Sequence, residues 1–173
     1  KGLSVYPGMI DAGTQLGMAE IPLGANATVD NAEVGTLNAN AKAITGINPH
    51  SSHVNVTRVN GITSVLSSPS GGLIAGQSAL INLNGSTQAE MAIDPTAALV
   101  INFPRIATFG GFNPGAGPQP IEFSEAVKRR DSQLDDLKKT FTNAENYSRA
   151  KDAFAKDKTL PYPVTDLRLE AMV

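Results

Sequence analysis

Cysteine is absent from the 173 residues, which excludes disulfide frameworks, thiolate nucleophiles and Cys-based zinc or iron–sulfur sites. Positive charge is not in excess either: 14 Lys and Arg stand against 16 Asp and Glu, a net charge of −2. A nucleic-acid binder ordinarily carries a basic patch or stripe, and a membrane-surface segment a polybasic run. No nucleic-acid partner and no membrane insertion are therefore expected. No apolar run approaches the roughly 18 residues that a membrane helix needs. The opening Lys1-Gly2-Leu3-Ser4-Val5 has neither an initiator Met nor a signal-peptide core, as expected of a chain that is processed, trimmed or begun inside a longer product.

Charge is scarce, at 17% of residues against roughly 25% in an ordinary soluble domain, and it is unevenly placed. Ten charged side chains lie between Lys1 and Ile121, and twenty, ten of each sign, between Glu122 and Val173. Surface elements of a free-standing domain each need solvating charge. The first two thirds is instead Gly, Ala, Asn, Ser and Thr with short apolar runs. It reads either as a stretch of polar uncharged loops or as the inner strands of a body larger than this chain.

The local patterns predict an alternation of strand and helix. Val5–Ala12 is a short apolar run broken by Pro7-Gly8, a buried strand. Residues 30–47 read as loop with a turn of helix. Asn48 at the N-cap and Pro49 at the first helical position predict a helix with Val54, Val56 and Val59 as its apolar positions and Gly61 just past its end. Ile62–Leu66 is β-branched and short, a strand. Ser67–Gly76 is turn-rich, and Ala79–Leu83 and Ala97–Asn102 are further apolar runs. Residues 109–120 hold four Gly and three Pro and cannot form a helix. Beyond them Phe123, Val127, Leu134, Leu137 and Phe141 share a helical stripe, with Asp135 and Lys139 as a supporting pair. Thr142 and Glu145 have the spacing of a capping box, predicting a second helix with Tyr147, Ala150 and Phe154 inward. Asp166 is placed to cap a last helix over 167–173.

Strand, helix, strand at 5–66 is a βαβ crossover, which implies parallel strands and an α/β fold. An eight-stranded (β/α)8 barrel needs at least about 200 residues, so a chain with about three of eight such units is too short to close one. The expected organisation is first βα units at 1–108, a Gly/Pro-rich linker at 109–121, and a charged helical segment of the same domain at 122–173.

Tyr6-Pro-Gly-Met-Ile-Asp-Ala-Gly-Thr-Gln-Leu-Gly17 resembles the first-strand signature of the amidohydrolase superfamily, Pro-Gly-hydrophobic-Ile-Asp-x-His-x-His. Val59-Asn-Gly-Ile-Thr-Ser-Val-Leu66 resembles that superfamily's second strand. Asn48-Pro-His-Ser, Ser70-Gly-Gly-Leu-Ile-Ala-Gly-Gln-Ser-Ala-Leu80 and Asp166-Leu-Arg-Leu-Glu-Ala-Met172 are similar to a bacterial, imidazolonepropionase-like branch. The resemblance implies a metal-dependent hydrolase on a TIM barrel that cleaves C–N bonds of cyclic amides or peptide-like substrates. The fold class expected of this chain is then a partial barrel, its first strands and helices only. It implies one or two divalent metals, zinc above all, in the full-length protein, held at the carboxyl ends of strands and lowering the pKa of bound water. The partners it implies are the remaining C-terminal half of the barrel and a small-molecule substrate, with oligomerisation left open. The branch is often exported, which leans toward an extracytoplasmic setting.

The departures from that pattern matter as much. The two His positions are Gly13 and Gln15; Gly has no donor, and a neutral Gln oxygen suits zinc poorly. Gln15 is the one metal-ligand candidate here, and the isolated chain is expected to hold no complete metal site and to hydrolyse nothing. Asp11 is expected to make a structural hydrogen bond, and His50 and His53 to be capping or surface residues. The best binding candidates are Ser68, Ser70, Gly71 and Gln77, in and just after the loop that follows the second strand, where small residues let backbone N–H groups approach a ligand. Neither a phosphate-loop spacing nor a Gly-x-Ser-x-Gly elbow occurs. Three readings stay open: the front part of a hydrolase, a non-catalytic binding relative with a degenerate metal site, and a self-contained α/β domain.

Overall fold

A computed structural model describes residues 2–23, 25–113 and 117–173. The chain forms two units, 1–101 and 102–173.

The first unit is mixed α/β: β1 (Met9–Thr14), α1 (Ala43–Gly46), α2 (Ser52–Val59), β2 (Ile62–Ser67), β3 (Ile74–Asn82), α3 (Gln88–Met91) and β4 (Ala92–Ile101). The four strands make one sheet in the order β1-β2-β3-β4. β1 and β2 are parallel, joined through α2, so the crossover expected from the pattern is present. The alternation stops there. β3 runs antiparallel to β2, and β4 antiparallel to β3. The apolar run at 79–83 belongs to β3, and the one at 97–102 to β4. Only six residues separate β2 from β3, too few for the dozen or so a parallel crossover requires.

Partner strands set the limits of β1. Met9 N–H donates to Gly61 O (2.9 Å), and Met9 stands opposite Ile62, where β2 begins. Residues 5–8 have no strand beside them, so the strand expected at 5–12 starts later. It is also not buried: β1 is an outer strand, with Met9 57% and Ile10 69% exposed. Gly8 has a packing role, since a Cβ there would lie 2.1 Å from the Thr63 side chain.

α2 starts at Ser52 rather than at Pro49. Asn48 uses its side chain on a turn of its own, accepting from His50 N–H (3.0 Å), and Ser51 Oγ is the cap, accepting from His53 N–H (3.2 Å). Of the three valines expected inward only Val54 is buried; Val56 and Val59 are exposed. The core gathers Val65 of β2, Ala79 and Ile81 of β3, Leu83, Met91, Ile47, Val54 and Met18. Ala79, Ile81 and Leu83 alternate onto one face, as a strand requires.

β3 is the central strand and is buried over most of its length. β2 covers its flank only at Ala79–Asn82. Along the other half of that flank the irregular segment 31–42 runs parallel, with single bridges Ala32–Ser70, Leu37–Ile74 and Lys42–Gln77. β4 is an exposed outer strand. Its Pro95, which lacks a donor, falls where the register with β3 shifts between Asp94 and Ala98.

The second unit holds β5 (Phe109–Asn113), β6 (Gly117–Pro120), α4 (Phe123–Lys156) and α5 (Leu167–Glu170). β5 and β6 pair antiparallel where the Gly/Pro content suggested loop or linker; positions 114–116 lie outside the described residues. α4 is one helix of 34 residues, about 50 Å long at 1.5 Å per residue, not two. No Gly or Pro interrupts 123–156, and Thr142 Oγ1 donates to Lys138 O (2.9 Å) within the helix instead of capping a new one. Glu145 pairs with Arg149 one turn on, and Asp135 with Lys138 (3.6 Å), not Lys139. Of the expected inward positions Leu137 and Tyr147 are buried, whereas Phe123 and Phe141 are exposed. Asp166 caps α5 as its position suggested, accepting from Arg168 N–H and Leu169 N–H, but the helix expected over 167–173 ends at Glu170.

Candidate functional site

The carboxyl ends of β1 and β2 lie side by side because the strands are parallel, and the loops leaving them are tied together. Ser68 N–H donates to Thr14 O (2.8 Å), and Ser67 Oγ to Leu16 O (2.8 Å). Asp11 Oδ1 accepts from Gly13 N–H (3.1 Å), the structural hydrogen bond expected of it. Thr14 Oγ1 accepts from Leu16 N–H (3.2 Å) and turns the chain out of β1.

Four of the expected residues meet here, and two others join them. Asn31 Nδ2 donates to Gln15 Oε1 (2.7 Å), and Asn31 O accepts from Ser70 N–H (2.7 Å) and, more weakly, Ser70 Oγ (3.3 Å). Ser68 Oγ and Ser78 Oγ are hydrogen-bonded to each other at 2.9 Å, either being able to donate. Gly71 adjoins this group with φ +80°, and Gly72 follows with φ +59°, both in the left-handed region that favours glycine. Their bareness serves the chain itself: a Cβ on Gly71 would lie 3.2 Å from Ala32 Cβ, and one on Gly72 3.1 Å from Gly35 O and Thr36 O. Gln77 is apart from the rest. It is buried in β3, its N–H donating to Ala41 O (2.7 Å), and strand alternation turns its side chain to the face opposite Ser78.

Asn31 and Ser78 carry no local sequence signal. They enter because residues 31–42 lie along β3, a contact between positions some forty apart. The cleft beside them, edged by Asp30, Asn31, Lys42, Thr45 and Pro69, admits about 30 Å³, room for a water or two and well short of the roughly 300–1,000 Å³ of small-molecule pockets. These residues can orient polar groups through uncharged hydroxyls and amides. Gln15, Asn31, Ser68, Ser70 and Ser78 carry no carboxylate, amine or imidazole that could act as a general acid or base.

Nor do they fit a metal. Gly13 supplies no side chain, and the Gln15 oxygen is taken by Asn31. Among the described residues no three His, Cys, Asp or Glu side chains gather closely enough to hold a cation. His53 sits on the first turn of α2, its Nε2 donating to Glu20 O (3.0 Å), and Glu20 in turn accepts from Ser51 Oγ (3.0 Å) and Asn48 Nδ2 (3.4 Å). That group fastens the segment around Glu20 to the helix start. His50 is exposed.

The titratable groups with displaced pKa values belong to the second unit. Tyr147 Oη donates to Glu170 Oε1 and Lys151 Nζ to Glu170 Oε2, both at 2.6 Å. The hydrogen bond from Lys151, then that from Tyr147, lowers the Glu170 pKa below its ordinary value, and the hydrogen bond to Glu170 raises both Tyr147 and Lys151. This clasp holds α5 against α4.

A mixed α/β unit opened by a parallel βαβ crossover is a common scaffold, and the comparison with solved structures narrows it. The chain is similar in fold to an amidohydrolase from Thermotoga maritima MSB8, with a TM-score of 0.73 and 22% sequence identity over 96% of this chain. The chain spans 41% of that protein's length. No protein-family model matches the sequence, and no curated protein does. At that identity the likeness is one of fold.

Proposed function

We propose that this chain is the N-terminal portion of an amidohydrolase-like hydrolase of the imidazolonepropionase-like branch, whose whole form is a (β/α)8 barrel that cleaves C–N bonds of cyclic amides or peptide-like substrates. The observation that carries this is the fold likeness, which takes in nearly all of this chain and well under half of the other. The open edge of β1 supports it. Met9 and Ile10 stand exposed on an outer strand that has a partner strand on one side only among the described residues, the kind of edge on which another strand adds. In this reading the rest of the barrel pairs there, and Ser68, Ser70 and Gly71 belong to the substrate-binding surroundings of the strand ends, with Gln77 set apart from them inside β3. A divalent metal, zinc above all, would be held by residues outside this chain, and the chain alone is inactive.

A second reading is favoured by Gly13 and Gln15: a non-catalytic relative that keeps the barrel mouth for binding only. One experiment separates them. The whole protein and this chain are each incubated with Zn²⁺ and a panel of cyclic amides and dipeptides, and product is followed by chromatography. Turnover by the whole protein and none by the chain supports the hydrolase. Metal-dependent turnover by the chain alone overturns the division of labour. Binding of a panel member by the whole protein without turnover favours the second reading.

A further inference from the structure

The first turns of α4, with residues 105–109 and Ile121, line an open cavity of about 280 Å³. Its charged rim is Arg105, Arg129 and Arg130, and its apolar wall includes Phe109, Ile121 and Ala126. Two of the guanidinium groups already have carboxylates: Arg129 Nη2 meets Glu125 Oε1 at 2.5 Å, and Arg130 Nε meets Asp131 Oδ1 at 2.7 Å. Arg105 has none within ion-pair distance among the described residues, and it lies exposed in an irregular segment. Three cations and two anions leave one net positive charge at the mouth of a cavity with an apolar wall. Each guanidinium has five N–H donors, so the two ion pairs leave most of them unused.

We propose that this cavity binds a small organic carboxylate, an anionic head on an aromatic or branched apolar body. The head answers the uncompensated charge of Arg105, whose planar fork matches a carboxylate in two parallel hydrogen bonds. The body covers Phe109, Ile121 and Ala126. The volume is near the lower end of that of known small-molecule pockets, roughly 300 Å³, which limits the ligand to about the size of a substituted benzoate. Inorganic phosphate has the charge without the body, and benzamide the body without the charge. Every lining residue belongs to 102–173, and nothing in the proposal depends on the hydrolase reading.

The test is a titration of the whole chain, followed by backbone and Arg Nε–H NMR, with benzoate, benzamide and inorganic phosphate as probes. Benzoate is expected to give saturable shifts at Arg105, Phe109 and Ala126, and benzamide and phosphate to bind at least tenfold more weakly. Arg105→Gln, at an exposed position without regular structure, is expected to weaken benzoate about tenfold, or roughly 1.4 kcal/mol, with the circular dichroism spectrum unchanged. Arg105→Lys, which keeps the charge but not the fork, falls between. Benzamide binding as tightly as benzoate, phosphate binding as tightly as benzoate, indifference to Arg105→Gln, or no saturable shift at all would each overturn the assignment.

Discussion

The two units are held together in different ways. In 1–101 much of the fixing is done by uncharged groups far apart in sequence, beside the group around Glu20: Ser67 to Leu16, Asn31 to Gln15, Ser70 to Asn31, and buried aliphatic side chains on one face of β2 and β3. In 102–173 it is done along one helix, by ion pairs a turn apart such as Glu125–Arg129 and Glu145–Arg149, and by the Tyr147–Glu170–Lys151 clasp. Exposed ion pairs add little each, whereas burial of aliphatic groups adds much. The scarcity of charge before Ile121 thus has a structural counterpart, since polar uncharged side chains there bond to the chain itself.

This contrast predicts where a single change does most damage. Ile81 is fully buried in the core of the first unit, and Ile81→Ala is expected to cost about 2–5 kcal/mol through lost transfer and an unfilled cavity. Urea unfolding of the chain, followed by the amide signals of β2 and β3, measures it. A loss below about 1 kcal/mol would show a core that closes over the gap. Ser51→Ala comes next. It removes the cap of α2 and one of the hydrogen bonds to Glu20 together, so a loss of about 1–2 kcal/mol is expected in the same experiment. A loss no larger than that of an exposed serine elsewhere would mean that the Glu20 group fastens nothing.

The sequence is legible to different depths in the two units, and for the same reason. The Asp166 cap of α5, the αβ step from α2 to β2, and Gly61 at the end of α2 are local patterns, and all are present, though α5 is shorter than its pattern suggested. The start of β1, the course of 31–42 along β3 and the role of Asn31 depend on which segment lies alongside. No window of sequence contains that information. Pro49 shows how a local signal can be true and misplaced: Asn48 makes a turn with it, and the helix then begins three residues later at a better cap. At the strand ends Ser68, Ser70 and Gln15 could be named from position after a strand, but the links through Asn31 and Ser78 could not.

The clasp in the second unit sharpens the contrast, because its contribution depends on pH. Glu170 has its pKa lowered in the folded chain, so what it contributes is full above its ordinary value of 4.5 and is lost as the pH falls through the folded value. Lys151 and Tyr147 are raised, so their contributions are full below 10.5 and 10.0 and are lost as the pH rises through the folded values. NMR of the Tyr147 ring is expected to show α5 loosening at both extremes. Glu170→Gln, similar in shape but without charge, should abolish the acid step and loosen α5 at neutral pH. An acid step of unchanged size in that variant would assign it to another carboxylate.

The smallest effect separates a continuous α4 from a pair of helices most cleanly, because the two arrangements predict opposite signs. Within a helix Thr142 spends its hydroxyl on Lys138 O and its branched Cβ on crowding the preceding turn. Thr142→Ala then stabilises α4 by about 0.5 kcal/mol, the propensity difference between the two residues. Were Thr142 an N-cap, the same change would remove an acceptor from the first turn and cost about 1 kcal/mol. Thermal unfolding followed at 222 nm reads the sign directly, and a lowered midpoint in the alanine variant would break α4 in two at residue 142.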